Sequence, residues 1–376
     1  MADSWGSTTE VSSSSAAGWG EASSTTTTTT MTTNGDAWSA GGWGETTSAG
    51  SGWGATENAS IVADPTGWGG TGFNGSGGGG GFAGNRLKQV DWNAHTLIPF
   101  QKDFYVEAPS VAGRSLTDVA EFYAKNQITI KGENCPKPVI TFAEAGFPEI
   151  VYRAIQESGY AALTAIQSIE WPIALKGRNM VGIARTGSGK TISFLLPAMV
   201  HLKAQPPVVK GDGPAILVLA PTRELALQCH EVAKQFGEYA GLRCTCVYGG
   251  APKYPQVAEL EKGVAICIAT PGRLLDLLES NRTSLRRCTY AVLDEADRML
   301  DMGFEPQIRK IMEQIRPDRH GLMWSATWLM EIRRLAEEFL KGYVHATIGS
   351  LNLCANTKIT QRVAVISEYD KMNKLE

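Results

Sequence analysis

The 376-residue chain carries 35 basic and 38 acidic side chains, a formal charge of −3 that is unevenly spread. Residues 1–85 hold no Lys or Arg, seven acids, 21 of the 41 glycines and six of the ten tryptophans; the other 291 residues carry 35 basic against 31 acidic groups. No apolar run approaches the roughly 18 residues of a membrane span, and the start MADSWGSTTE lacks the basic and apolar regions of a secretory signal. Seven scattered cysteines without a C-x-x-C pair, and five histidines without H-E-x-x-H, argue against a disulfide frame or a zinc site. The expectation is a soluble intracellular protein.

In chain order, the leader comes first. Trp5, Trp19, Trp43, Trp53 and Trp68 sit beside glycine, Trp38 in a looser context, around a threonine run from Thr25 to Thr30. With only five Met, Val, Ile or Leu in 85 residues, burial cannot offset the entropy of ordering. Residues 1–85 are therefore predicted to be a disordered Gly/Ser/Thr/Trp-rich tail. Residues 86–140 form an extension with one helix signal: Ser115 and Asp118 have capping-box spacing ahead of Val119, Phe122 and Tyr123.

From 141 onward, short β-rich runs alternate with amphipathic helices. MVGIA (180–184), AILVLA (215–220), CTCVYGG (244–250), VAICIAT (264–270), YAVLDEAD (290–297), GLMWSAT (321–327) and VHATIGS (344–350) read as strands. They lack strong in–out alternation, which predicts an α/β domain over 141–350: a parallel sheet buried on both faces and flanked by helices. Residues 351–376 read as a linker and the start of an incomplete second domain.

Two motifs carry chemistry. Ala184-Arg185-Thr186-Gly187-Ser188-Gly189-Lys190-Thr191 lies between a strand and a helix. Backbone N–H groups of such a glycine-rich turn cradle phosphates, Lys190 reaches the β- and γ-phosphates, and the Thr191 hydroxyl suits Mg2+. The strict pattern has Gly where Ala184 stands. The second motif is Asp294-Glu295-Ala296-Asp297, ending a hydrophobic strand. Asp294 at a buried strand's carboxyl end would hold Mg2+ through water, and Glu295 would activate the attacking water.

Together these motifs resemble those of DEAD-box RNA helicases, and the resemblance runs from about Phe100 to Ser350. It implies a RecA-like P-loop NTPase domain using ATP and Mg2+, with Glu295, Lys190 and Asp294 as catalytic residues. GYAALTAIQ (159–167) resembles the family's adenine-sensing segment, so Phe142 would stack on the adenine while Gln167 and Thr164 read it. Ser325-Ala326-Thr327 resembles the coupling motif, with hydroxyls bonded to the Asp297 region. Pro221-Thr222-Arg223, Gly249-Gly250 and Thr270-Pro271-Gly272-Arg273 resemble the RNA-facing motifs. These would grip phosphates of single-stranded or duplex RNA without reading bases, making binding sequence-independent and salt-sensitive.

LIPFQKDFY through NCPKPVITF, with DMGFEPQIRKIMEQIRPDR and MWSATW, resembles a branch of nuclear helicases in pre-mRNA processing and ribosome assembly. Location in the nucleus is the first expectation, the cytoplasm the second. Three departures stand out: Arg185 where the family usually has Gln, Leu163 where it has Pro, and Trp328-Leu329-Met330 in place of a more polar continuation. No arginine-finger motif lies in the chain, and such fingers supply about 10³–10⁵ in rate. The expectation is a chain that binds ATP–Mg2+ weakly and contacts RNA but hydrolyses little, the ATP-binding half of an RNA helicase. The alternatives are a nucleotide-responsive RNA binder that does not unwind, and an interaction scaffold. In the scaffold reading the leader's tryptophans resemble Argonaute-hook segments entering pockets on a partner; the plainer reading of the leader is a low-complexity tail that tunes solubility.

Overall fold

The computed structural model describes residues 84–185 and 187–349, together with 365 and 367. The readings made of the tryptophan leader, of Thr186 and of the segment 351–376 lie outside the described residues, the last but for 365 and 367.

The chain first forms α1 (Pro109–Ala112) and α2 (Leu116–Lys125), then a short strand β1 (Ile128–Lys131). The capping box at the start of α2 is present in both directions. Asp118 N–H donates to the Ser115 hydroxyl at 3.0 Å, and Ser115 N–H donates to the Asp118 carboxylate at 3.2 Å. Then follow α3 (Glu149–Glu157), α4 (Ala165–Leu175), β2 (Met180–Ile183), α5 (Lys190–Lys203), β3 (Ile216–Leu219) and α6 (Arg223–Ala240). The second half contains β4 (Cys244–Val247), α7 (Lys253–Glu261), β5 (Ile266–Ala269), α8 (Pro271–Glu279), β6 (Tyr290–Leu293) and α9 (Ala296–Asp301). It closes with α10 (Glu305–Glu313), β7 (His320–Ser325), α11 (Met330–Phe339) and β8 (Val344–Ile348).

The eight strands lie in the order β1-β8-β2-β7-β6-β3-β5-β4. All neighbours are parallel except β1, which runs antiparallel to β8 with Ile128 opposite Ile348. The all-parallel expectation thus gains one antiparallel strand, drawn from the extension over 86–140. Without it the edge of β8 would present unpaired backbone groups, which β1 covers. The signal was Ile128 and Ile130 alternating with Thr129 and Lys131, a four-residue pattern shorter than the runs that mark the central strands.

Residues of β2, β3, β5, β6 and β7 are buried throughout, as helices on both faces require. One face packs on Trp171, Phe194 and Phe236, the other on Leu274, Met299, Ile311 and Leu335. Gly182 is obligatory in β2 because the Trp324 ring lies over it; an added Cβ would fall 1.8 Å from that ring. The parallel strands bring the carboxyl ends of β2, β3, β5, β6 and β7 to one edge, where ligands bind in such sheets.

The extension also straps the domain. Arg86 N–H donates to Glu279 Oε1 at 3.0 Å, and Trp92 Nε1 donates to the Glu313 carbonyl at 3.3 Å. Arg316 donates to the Ile98 carbonyl at 3.0 Å, and Phe104 N–H to the Leu175 carbonyl at 2.7 Å.

Candidate nucleotide and RNA site

The phosphate loop leaves β2 and enters α5 at Lys190. Gly187 (φ 73°) and Gly189 (φ 89°) are left-handed, which glycine adopts without strain. A Cβ at Gly189 would also sit 2.8 Å from Gln167 Nε2. Ala184 occupies its position as an extension of the strand: it is buried, and its N–H donates to the Ser325 carbonyl at 3.1 Å. Nothing there requires glycine. Lys190 is 7 % exposed, and its Nζ donates to the Ala184 carbonyl at 3.3 Å. The Ser188 hydroxyl is enclosed without a partner, Arg185 is exposed, and Thr191 is half-buried in the first turn of α5.

The acidic segment follows β6. Asp294 is 3 % exposed, and its Oδ1 has no hydrogen-bond partner. Burial pushes its carboxyl up to about 6, opposed by Lys190 and reinforced by Glu295 and Asp297. Glu295 stands at the cap of α9 with φ 52°, a left-handed conformation that a non-glycine residue adopts only at a cost. Its Oε2 is 3.4 Å from Arg298 Nη1. Asp297 Oδ2 accepts from Ala326 N–H and Thr327 N–H, each at 3.0 Å, and from the Thr327 hydroxyl at 3.1 Å. The Ser325 hydroxyl instead accepts from Thr327 N–H at 3.2 Å. Of the two hydroxyls, it is Thr327 that touches Asp297.

On the adenine side, Thr164 precedes α4. Thr164 N–H donates to Gln167 Oε1 at 3.0 Å, while Gln167 Nε2 donates to the Gly189 carbonyl at 3.4 Å. One buried amide thus joins the start of α4 to the phosphate loop. Phe142 begins a single 3₁₀ turn, half-buried, its ring 6.0 Å from that of Trp171. Leu163 packs against the same core layer, so the departure from Pro is absorbed by apolar contact.

The RNA-facing candidates share this edge. Pro221 is buried, and the Thr222 hydroxyl accepts from Leu225 N–H at 3.3 Å as the cap of α6. Arg223 lies with its guanidinium 4.8 Å over the Tyr248 ring. Gly249 and Gly250 follow β4, exposed, with Gly250 at φ 73°. Thr270 caps α8 and its N–H donates to the Val247 carbonyl at 3.0 Å; Pro271 takes the first helical position, and Gly272 faces open space. Arg273 is folded back: Nη2 donates to the Ala251 carbonyl at 3.0 Å, and Nη1 is buried without a partner. Motif reading missed Tyr248 and Gln256. The Gln256 amide brackets Tyr248, accepting from its N–H at 3.2 Å and donating to its carbonyl at 3.1 Å, which fixes the turn through Gly249. No local pattern marks a glutamine eight residues away.

A phosphate loop after β2, an acid at the end of β6 two places along the sheet, and a largely parallel sheet define a RecA-like P-loop nucleotide-binding domain. A model of the DEAD/DEAH box helicase family matches residues 164–335. These residues carry a DEAD-box helicase domain. It is 57 % identical over 289 residues to an ATP-dependent RNA helicase dbp2 of Neosartorya fischeri, covering 77 % of this chain and 53 % of that protein. It is likewise 57 % identical over 292 residues to the ATP-dependent RNA helicase DBP2 of Gibberella zeae, covering 78 % and 53 %. The chain thus spans about half the length of these curated relatives. Among solved structures it is similar to the RNA-helicase Prp28 of Chaetomium thermophilum bound to ADP: TM-score 0.60, 35 % identity, 72 % of this chain and 64 % of that one. The yeast DEAD-box splicing factor Prp28 gives TM-score 0.62 at 30 % identity, covering 64 % and 58 %.

Among the described residues no helix is long and apolar enough to cross a membrane, and no cluster of three or more His, Cys, Asp or Glu could hold a metal. The donors at this edge are of a kind that suits magnesium: the unpartnered Asp294 Oδ1 and the Thr191 hydroxyl are both hard oxygens.

Proposed function

We propose that this domain binds ATP with magnesium and grips RNA phosphates along the same edge, as the ATP-binding half of an ATP-dependent RNA helicase that remodels RNA structure. The observation that carries the reading is the bonding of Asp297 to Thr327 and Ala326, beside Asp294 and the phosphate loop. It ties the acidic segment to the strand end that would sense nucleotide.

Roles follow from position. N–H groups of the loop through Gly189 would hold phosphates, and Lys190 would exchange its carbonyl partner for a phosphate oxygen. Thr191 and Asp294 would hold the magnesium ion, which when bound neutralises charge on the phosphates. Glu295, held out of the helix by its positive φ, would orient the attacking water and take its proton. Phe142 and Gln167 would face the adenine. Arg223, Arg273 and the caps at Thr222 and Thr270 would contact RNA backbone, so affinity should fall steeply with salt but hardly with sequence. Kinship with RNA helicases of the splicing and Dbp2 type supports action in the nucleus. The leader's reading as a ligand for tryptophan pockets rests on its sequence, and pulldown with all six tryptophans changed to alanine tests it.

The decisive variant is Glu295→Gln in a protein that carries the complete helicase core. ATP and RNA should bind together and stay bound, with hydrolysis lost. Normal turnover by that variant would remove Glu295 from the mechanism, and RNA affinity indifferent to nucleotide would leave a binding module that does not remodel.

A further inference from the structure

Glu170 lies in the interior of the domain, 0 % exposed, in the middle of α4. An unpaired carboxylate there would be prohibitively costly, so its environment must account for it. Neither carboxyl oxygen makes a hydrogen bond of ordinary geometry, and the Trp324 indole Nε1 is also without a partner. The groups against the carboxyl are the Ser193 hydroxyl of α5 and that Trp324 N–H of β7; Asp294, Lys190 and Tyr290 are the ionisable groups around it. The Ser193 proton is already committed, since its hydroxyl donates to the Lys190 carbonyl at 2.7 Å. Ser193 Oγ can therefore only accept from Glu170.

One arrangement satisfies these constraints: Trp324 N–H would donate to one Glu170 oxygen, the other oxygen would carry a proton and donate to Ser193, and Ser193 keeps its bond to the Lys190 carbonyl. Burial favours the same neutral form, pushing this carboxyl well above its usual range. Spacing gives the bridge its meaning. Glu170 is one turn from Gln167 on α4, and Ser193 is one turn from Lys190 on α5, so each pair shares a helix face. Trp324 immediately precedes Ser325-Ala326-Thr327.

We propose that Glu170 is a positioning residue: as a neutral acid it clamps the adenine-side helix, the Lys190 turn and the coupling strand into one unit. The inference rests on the nucleotide-binding reading above. It predicts that Gln, which donates and accepts in the same places, substitutes for Glu170, while the apolar Leu does not.

The test measures binding of a fluorescent ADP analogue with magnesium to the 376-residue chain as wild type, Glu170→Gln, Glu170→Leu and Lys190→Ala. Glu170→Gln should stay within about twofold of wild type. Glu170→Leu should bind about tenfold more weakly, the effect of one lost buried hydrogen-bond bridge. Infrared difference spectra of wild type against Glu170→Gln should show the carbonyl stretch of a protonated acid, a readout that does not depend on the Leu variant folding. Absence of that band overturns the proposal, as does Glu170→Gln binding as poorly as Glu170→Leu, or a folded Glu170→Leu binding like wild type. If Lys190→Ala binds as wild type does, the nucleotide reading itself has failed, whatever the infrared band shows.

Discussion

The two edges of the central sheet are built from the same strands but treat polar atoms in different ways. At the carboxyl edge Asp294 Oδ1, the Ser188 hydroxyl and Arg273 Nη1 are enclosed without partners, Lys190 leans on a neutral carbonyl, and Glu295 is held at positive φ. At the amino edge the strap closes over a set of rings. His201 pairs with the Thr289 hydroxyl at 2.9 Å, His320 pairs with the Arg178 carbonyl at 2.8 Å, and Tyr290 lies 4.7 Å from His320. Phe100 packs edge-on against His201 at 5.2 Å, and the Arg316 guanidinium lies 4.7 Å over the Phe100 ring. His201 Nδ1 is unpartnered too, but on a neutral ring, where the cost is small beside that of a charge. Arg319 Nε is unpartnered at the amino edge as well, so what sets the carboxyl edge apart is a buried carboxyl oxygen of Asp294 with no donor and the left-handed Glu295 that follows it in sequence.

The largest expected effect lies between the two edges. Gly182→Ala forces the Trp324 ring and both helical layers to move, and should cost about 3 kcal/mol or more, read as a fall in melting temperature. Next comes acid. Burial depresses the imidazoles to about 3 for His201 and about 4 for His320, against an ordinary 6.5. The unfolded chain therefore binds more protons than the fold between pH 6.5 and 4, so stability from neutral burial is complete above 6.5 and drains as pH falls through that window. At about 1.4 kcal/mol per unit and group, the two imidazoles together lose the equivalent of about 4 kcal/mol from pH 7 to 5, offset by the raised carboxyls of Glu170 and Asp294, which hold protons in the fold that the unfolded chain lacks. The difference in urea midpoint between wild type and His201→Gln should therefore narrow by about 2 kcal/mol over that range. An unchanged difference would show that the amino edge opens to water. Asp297→Ala removes the acceptor of three donors and should cost about 1–2 kcal/mol, with loss of nucleotide-dependent RNA affinity. Glu295→Gly should go the other way, stabilising by about 1 kcal/mol through release of the left-handed strain while abolishing hydrolysis in a complete core. Destabilisation by that change would remove strain from the contrast between the edges.

Much of the fold was legible because its long-period features are local. The β-rich runs became β2 to β8, since buried parallel strands read as continuous apolar segments, and the Ser115–Asp118 box marked α2. The edge strand β1 and helix α7 were not, because four alternating residues and a helix opening on Pro252-Lys253 give weak periodic signals. In the site, Gly187, Lys190 and Asp294 were legible from spacing alone. The partner of each was not: that Thr327 rather than Ser325 bonds Asp297, that Arg273 folds back onto Ala251, and that Glu170 is buried behind the loop are outcomes of tertiary packing.

The account's central claim is that the carboxyl edge is a nucleotide site centred on Lys190. Calorimetric titration of ADP with magnesium into the chain tests it directly, wild type beside Lys190→Ala. The account predicts measurable heat for wild type, at least a hundredfold weaker binding for Lys190→Ala, and an unchanged melting temperature for the free proteins. Equal binding by both proteins, or none by wild type, would contradict it.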